Sequence, residues 1–404
     1  MTIRDLMIFL CLNNGLSSKL MAQTPGDSIT KSNTGQVSVV FGKGVQFKSG
    51  DGRYSLTIGG RLQTMAEVKF QLTEPKVIST DFLVRRCRLS FTGTAFDPRF
   101  SFRLQLGFSS TDISASNSSL QNNMIIRDAM LFYKLRPWLI LGLGQTKLPG
   151  NRQRQVSSGN LQLVERSIVN TNFTLDRDKG VWITSNFKSG KSVFKAVAAI
   201  SSGEGRINSS KNGKVCYTGR IEWLPLGNFS ENGDFVEASQ FREPTSKFSL
   251  GVVASDNIAA VRTLGQLGEY LYNGESADIS YWGADMMYKK KGFSALVEWY
   301  SRAASKGVIV NSENPSLSNY VLSGNGLLIQ TGLFISSKSE IAARYATIHP
   351  SQKLKGTAPE QRELVIGFNH YFHKHNLKLQ TDLSYLKTGS DKSLIYRLSG
   401  IVAF

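Results

Sequence analysis

Cysteine is scarce in this chain of 404 residues, which has only Cys11, Cys87 and Cys216. Cys11 falls near the N-terminus, and Cys87 and Cys216 occupy strand-like segments with opposite expected facings, so no disulfide framework is expected. Histidine is nearly as rare. Of the four, His373 and His375 lie in an expected tight turn, where exposed turn residues are the simpler reading than a metal site. No proline-rich or low-complexity stretch divides the chain, which favours one large architecture over two or three domains. Beyond the first residues no apolar run approaches the roughly 20 residues of a spanning helix, and a helical membrane protein is excluded. Nucleotide loops are incomplete too. Gly190-Lys191-Ser192 has Ser185 where the first glycine belongs, and Gly142-Leu143-Gly144 lacks its third glycine and a following helix. The sequence therefore offers no catalytic set, no metal site and no cofactor.

What it has in abundance is positive charge and alternation. The formal charge is +18, with 41% hydrophobic and 19% charged residues, enough apolar material to fold. An excess of that size concentrates anions wherever it is focused, and the partners it suits are nucleic acid, an acidic surface or a small anion. Charge alone does not choose among them.

Residues 1–22 carry Arg4, an apolar stretch from Leu6 to Leu12 and a cleavable end at Ala22, the pattern of a secretory signal peptide. Residues 23–53 are polar and contain Gly42, Gly44, Gly50 and Gly52, and are expected as a flexible periplasmic lead-in. From Tyr54 to Phe404 the dominant period is two. Phe100, Phe102, Leu104, Leu106 and Phe108 share one face of their segment, opposite Ser101, Arg103, Gln105, Gly107 and Ser109. Leu83, Cys87, Leu89 and Phe91 likewise oppose Arg86, Arg88, Ser90 and Thr92, with Arg85 interrupting the apolar face where its stem could snorkel to a lipid interface. About sixteen such segments follow one another, beginning near Tyr54, Phe82, Arg99, Ile125, Trp138, Lys179, Ser192, Val215, Lys247, Ala277, Phe293, Gly326, Ser339, Arg362, Leu377 and Leu394.

Their connections alternate between tight turns and long polar loops, Pro225 to Ser246 being a long one where a short one is due. Arginine and lysine recur opposite the apolar face, and aromatic residues gather near strand ends, at Tyr133, Trp138, Trp223, Tyr371 and Phe372. An extended chain can cross hydrocarbon only as a sheet without open edges, so the pattern predicts an all-β transmembrane antiparallel barrel over residues 54–404. A soluble β-sandwich or barrel is the competing expectation. The last strand, alternating up to a terminal Phe404, resembles the recognition end of outer-membrane proteins.

Several stretches resemble the phosphate-selective porin O and P family in its Bacteroidetes form. They are IGGRLQ (Ile58 to Gln63), RLQLGF (Arg103 to Phe108), GQTKLPGNRQRQ (Gly144 to Gln155), SSGNLQLVERSIVN (Ser157 to Asn170), LDRDKGVWI (Leu175 to Ile183), YWGADMMYKKKGFSALVEWY (Tyr281 to Tyr300), SEIAARYA (Ser339 to Ala346) and ELVIGFNHYFHKHNLKLQTDLSYL (Glu363 to Leu386). The resemblance implies a sixteen-stranded barrel, a homotrimer in the outer membrane of a Gram-negative bacterium, whose third long loop folds inward and narrows the pore. That loop would be Leu148 to Asp176. Around Leu148 to Asn151 it departs from the phosphate-selective members, which leaves phosphate as one candidate among small anions.

An anion path needs spaced cations that hold an ion firmly enough to enter and weakly enough to leave. Parity turns Arg86, Arg88, Arg103, Lys195, Arg220, Arg302, Arg344, Lys378 and Arg397 inward, and the loop region adds Lys147, Arg152, Arg154 and Arg166. Of these, Lys147, Arg152, Arg154 and Arg166 are expected at the constriction, with Arg86, Arg88, Arg103, Arg220 and Arg344 along the path. Inward acids, Glu222, Glu298, Glu340 and Asp382, are expected to pair with some of them. The expected function is a passive anion-preferring channel in contact with outer-membrane lipid, with no nucleic-acid partner. The alternatives are a barrel enzyme, for which His370 has no evident nucleophile beside it, and a structural or adhesive barrel without an open pore.

Overall fold

The computed structural model describes residues 35–113, 125–206 and 213–404. The expected signal peptide lies outside the described residues. A short hairpin comes first, β1 (Gln36–Val40) and β2 (Gly44–Lys48). The strands β3 (Ser55–Gln71), β4 (Lys76–Ala95), β5 (Asp97–Gly107), β6 (Ile126–Arg136), β7 (Leu139–Lys147), β8 (Arg177–Ser189), β9 (Ser192–Ser201), β10 (Cys216–Leu224), β11 (Lys247–Ala260), β12 (Ala277–Lys290) and β13 (Phe293–Ala304) follow. After a small separate hairpin of β14 (Val308–Val310) and β15 (Ser318–Tyr320) come β16 (Gly324–Phe334), β17 (Ser339–Pro350), β18 (Gln361–His373), β19 (Leu377–Thr388) and β20 (Asp391–Ala403). Successive strands from β3 to β13 and from β16 to β20 pair antiparallel, β13 pairs with β16, and β20 returns to β3 through Val402↔Leu62 and Ala403↔Arg61. The result is a closed sixteen-stranded barrel, and each alternating segment of the sequence forms one of its strands.

Burial is inverted relative to a soluble protein. In β10, Tyr217, Ile221 and Trp223 are exposed while Arg220 and Glu222 are buried. The same holds around the ring, with Val252, Trp282, Ile329, Ile341, Leu364 and Leu383 exposed and Asp285, Glu298, Gln330, Glu340, Asn369 and Asp382 buried. Charged groups are buried only when paired, and so large an apolar exterior is stable only in lipid. The soluble sandwich or barrel is thereby overturned. Trp138, Phe187, Trp223 and Phe372 stay exposed near the short-turn end, as an interfacial belt requires. Tyr371 does not join them: it is buried and its hydroxyl donates to Glu340 at 2.6 Å.

The N-terminal hairpin departs from the expected flexible lead-in. Strand β3 begins before β20 can pair with it. Gly60 exchanges both backbone hydrogen bonds with Phe404, at 2.9 and 3.0 Å, and a Cβ at Gly60 would lie 2.2 Å from the Phe404 ring, so only glycine admits the terminal aromatic there. Beyond that point Ser55–Ile58 would present an unpaired edge, and β2 covers it in the register Val45↔Ile58 to Lys48↔Ser55.

A second departure lies in β4. A bulge between Gln63↔Arg86 and Thr64↔Val84 leaves Arg85 as the extra residue and reverses the facing of Ser79 to Val84, up to a second register shift between Lys69↔Ser79 and Phe70↔Val77. Phe82 and Val84 point to the exterior, 83% and 51% exposed, and Leu83 turns inward, contrary to its expected facing. Arg85 does not snorkel to lipid; it turns inward with Arg86.

The connection between β10 and β11 is the long one the sequence singles out. Within it, the Lys289 ammonium on β12 donates to the carbonyls of Gly233 at 2.7 Å and Ala238 at 2.9 Å, and also to that of Val236 at 2.5 Å. The Asp234 carboxylate pairs with Lys195 on β9. A buried lysine among carbonyls and an aspartate against an inward lysine fix this connection to the wall at two places.

Candidate functional site

The long connection from β7 to β8 carries two short helices, α1 (Arg152–Gln155) and α2 (Ile168–Phe173). Ser167 caps α2 by accepting the Asn170 amide at 3.1 Å, which is why Ser167-Ile-Val-Asn turns helical inside a strand-rich chain. The segment reaches both sides of the barrel. On one side the Glu165 carboxylate accepts from Arg85 at 2.5 and 3.1 Å and from Arg86 at 3.1 Å, while Arg61 and Arg88 donate to the Ser158 hydroxyl at 2.8 and 3.0 Å. On the other, the Val164 amide donates to Asp382 at 2.9 Å, the Gln153 amide to Glu298 at 2.5 Å, and Gln162 to Glu340 at 2.5 Å. Glu237, from the β10–β11 connection, joins this network by accepting from the Gln162 amide at 2.8 Å and from Gln330 at 2.9 Å.

The candidate cations separate into two groups. Arg152 has no exposed surface: it donates to Asp285 at 2.5 Å and to the Ser249 hydroxyl at 2.8 Å, so it anchors the segment instead of facing open space. Arg344 is also buried, donating to Gln330 and to the Glu165 carbonyl, both at 2.9 Å. Arg220 is tied to Glu222 at 2.7 Å and to Asp285 at 2.6 Å. Arg302 and Lys378 spend their donors on the Asn172 carbonyl at 2.8 Å and the Leu161 carbonyl at 2.7 Å.

The second group shares a cavity of about 1020 Å³. Arg86, Arg88, Arg103, Lys147, Arg154, Arg166 and Arg397 line it, together with Arg85, Arg127, Arg177 and Arg206, which parity did not select. Eleven basic side chains there face six carboxylates. Arg88 and Arg127 share Asp112, at 2.6 and 2.7 Å, Arg177 meets Asp128 at 2.9 Å, and Arg154 pairs with Asp176. Among the described residues no carboxylate forms an ion pair with Arg103, Lys147 or Arg166; the Lys147 ammonium donates to the Arg154 and Gln155 carbonyls at 2.7 and 3.2 Å, and Arg166 to the Gln153 and Val156 carbonyls, each at 2.9 Å. A second cavity of about 640 Å³ lies toward the short-turn end, lined by Trp138, Lys195, Arg220 and Phe235 among others. Gln155 and Thr184 line both. Neither cavity touches β11 to β17, the wall against which segment 148–176 packs.

The electrostatics of the connections reflect this excess of cations. Burial pushes the Glu165 carboxyl up, but the Arg86 and Arg85 guanidiniums outweigh it and hold its pKa at about 2. Asp112 behaves alike: burial opposes ionisation, and Arg88 and Arg127 bring it to about 2. Arg166 is depressed well below its ordinary value, chiefly by burial and further by the neighbouring Arg154 and Arg86.

Two of the four arginines missed by parity, Arg85 and Arg127, share one cause. Arg85 is the extra residue of the β4 bulge, and Arg127 falls in a second bulge, between Gln105↔Asp128 and Leu106↔Ile126. The adjacent pair Arg85-Arg86 breaking an alternating face was the available signal. Arg177, the first residue of β8, carried none.

The model of the phosphate-selective porin O and P family matches residues 57–394. No curated protein matches the sequence. Among solved structures, the fold is similar to an anion-selective porin from Comamonas acidovorans at a TM-score of 0.55 and 12% identity, covering 87% of this chain and 100% of that one. It is similar to the outer membrane channel DcaP of Acinetobacter baumannii at 0.53 and 12%, covering 89% and 99%. The trimer form of OmpT, an outer membrane protein of Vibrio cholerae, follows at 0.51 and 11%, covering 86% and 99%. With a closed barrel that turns its oily face outward, a charged interior and a family match over most of its length, this chain belongs to the phosphate-selective porin O and P family and is an outer-membrane porin channel.

Proposed function

We propose that this porin is a passive, anion-preferring diffusion channel, active as a homotrimer, in which residues 148–176 are the inward-folded loop that narrows the bore. The observation that carries the reading is the eleven-to-six excess of cations over carboxylates in one continuous cavity, three of those cations having no ion-pair partner among the described residues. The solute path runs beside β18 to β20 and β3 to β10, from the larger cavity past Gln155 and Thr184 into the smaller one. Lys147 and Arg154 stand before that narrowing, Lys195 and Arg220 beyond it. Arg152 and Arg344 act as positioning residues for the loop. Phosphate is among the anions expected, since paired guanidinium donors suit its oxygens, and the family's description points the same way. The trimer rests on the porin fold, which the OmpT trimer shares.

Planar-bilayer recording in a KCl gradient tests the proposal. The reversal potential should report chloride over potassium, and Arg103→Gln should move it toward zero. Absence of conductance would favour a closed structural barrel, and cation preference would remove the mechanism. Replacing chloride by phosphate on one side then measures whether phosphate is favoured.

A further inference from the structure

A lumen built for small inorganic ions alone has no use for apolar side chains at inward positions, since they offer nothing to a hydrated anion. The larger cavity nevertheless has an apolar floor beside its cations. Along one row across the wall, Arg103 stands directly opposite Met130, which stands opposite Gly144. In the next row toward the short turns, Ser101 faces Phe132, Phe132 faces Gly142, and Gly142 faces Trp182. Met130 and Phe132 lean over Gly142: a Cβ there would come within 2.9 Å of the Met130 methyl and 3.3 Å of the Phe132 ring. Met130, Phe132 and Trp182 all line the same cavity as Arg103.

Met130 and Trp182 also join the apolar cluster that includes Leu148, Phe173 and Leu175 of the loop segment, so part of this surface is a seat for that segment. Phe132 packs against the same cluster but is only half-buried, and it lines the cavity. Arg103, exposed and without a carboxylate partner among the described residues, lies one row away. Consecutive inward rows are about 7 Å apart and diagonal neighbours on one face about 7–8 Å. An acidic group on the Arg103 guanidinium thus leaves an attached ring over Phe132.

We propose that this juxtaposition, the unpaired Arg103 beside the Met130, Phe132 and Trp182 surface, is a binding site for organic anions that carry an aromatic or other planar apolar body. The inference rests on the anion-channel reading and narrows its substrate class. An apolar body on this floor adds buried area and ring contacts that inorganic phosphate lacks, which keeps such solutes in the path longer than an anion of equal charge.

The test compares phenylphosphonate with methylphosphonate, which present the same acidic group, and with inorganic phosphate, each titrated against the chloride current of single channels. Phenylphosphonate should reduce the chloride current at a concentration about tenfold below methylphosphonate, as expected for one ring contact with its buried area. Phe132→Ser should bring that ratio close to one, and Phe132→Leu, which keeps an apolar side chain and removes the ring, should give an intermediate ratio. Arg103→Gln should weaken all three anions. Equal half-blocking concentrations for the two phosphonates in the unaltered protein would overturn the proposal, as would a ratio unmoved by both Phe132 variants. These outcomes are separable from failure of the channel reading, which shows as a KCl reversal potential without anion preference before any phosphonate is added.

Discussion

Arg152 and Arg103 are both arginines on or near the bore, and their surroundings give them opposite roles. Arg152 is enclosed, with Asp285 at 2.5 Å and Glu222 at 3.7 Å, and Arg220 holds the same two carboxylates from the other side. Breaking a buried pair of this kind costs about 3–5 kcal/mol because it strands the remaining charges. Arg152→Ala is therefore expected to lower the thermal stability of the folded barrel and to add noise to the open channel while leaving anion preference nearly unchanged; a large shift of reversal potential would contradict an anchoring role. Glu165 supplies a pH argument. Its pKa in the folded protein, about 2, lies below the usual carboxylate range, so the latch to Arg85 and Arg86 is at full strength above that range and is lost only as pH falls through about 2. The difference in channel noise between the native protein and Glu165→Gln should accordingly persist from pH 7 down to pH 4. If native channels already behave like the variant at pH 4, the latch is weaker than its geometry implies.

At the scale of elements, two β-bulges and two long connections set the shape of the interior. The bulges put Arg85 and Arg127 on the lumenal face, where strict alternation would have sent one of each adjacent pair to lipid. The connection 225–246 fixes the loop segment from the short-turn side through Glu237. Replacing residues 228–243 by a short turn should raise single-channel conductance and shorten the lifetime of the main conductance level. An unchanged conductance would mean that this connection does not limit the path. Strand positions were legible in the sequence because lipid on one side and water on the other impose a period of two with no core to blur it. The bulges were not, since one extra residue changes facing without changing composition, and Arg85 beside Arg86 was the sole hint. Nor could the order of the N-terminal hairpin be read, because β2 pairs with the stretch of β3 that β20 does not cover, and that division of partners exists only in the folded ring.

For the whole molecule the governing quantity is the excess of positive charge, +18 over the chain. Its field is screened by salt, with a Debye length of about 10 Å at 0.1 M and about 3 Å at 1 M. Cations spread along a cavity act on a passing ion over several ångströms, so the chloride-to-potassium preference should decline as KCl is raised from 0.1 to 1 M. A preference independent of salt would instead point to ions dehydrated at a tight site.

What the sequence determined by itself was the barrel: the number of its strands, the side that an unbulged strand turns to lipid, and the richness of the interior in cations. Lipid and water sort residues one by one, and that sorting is written residue by residue. Which cations stand free was decided only by the tertiary structure. Arg103, Arg152 and Arg344 look alike in the chain, but whether a guanidinium meets a carboxylate depends on Asp285 of β12 reaching Arg152 at 2.5 Å and Glu363 of β18 reaching Arg344 at 3.7 Å, and no local pattern records that arrival.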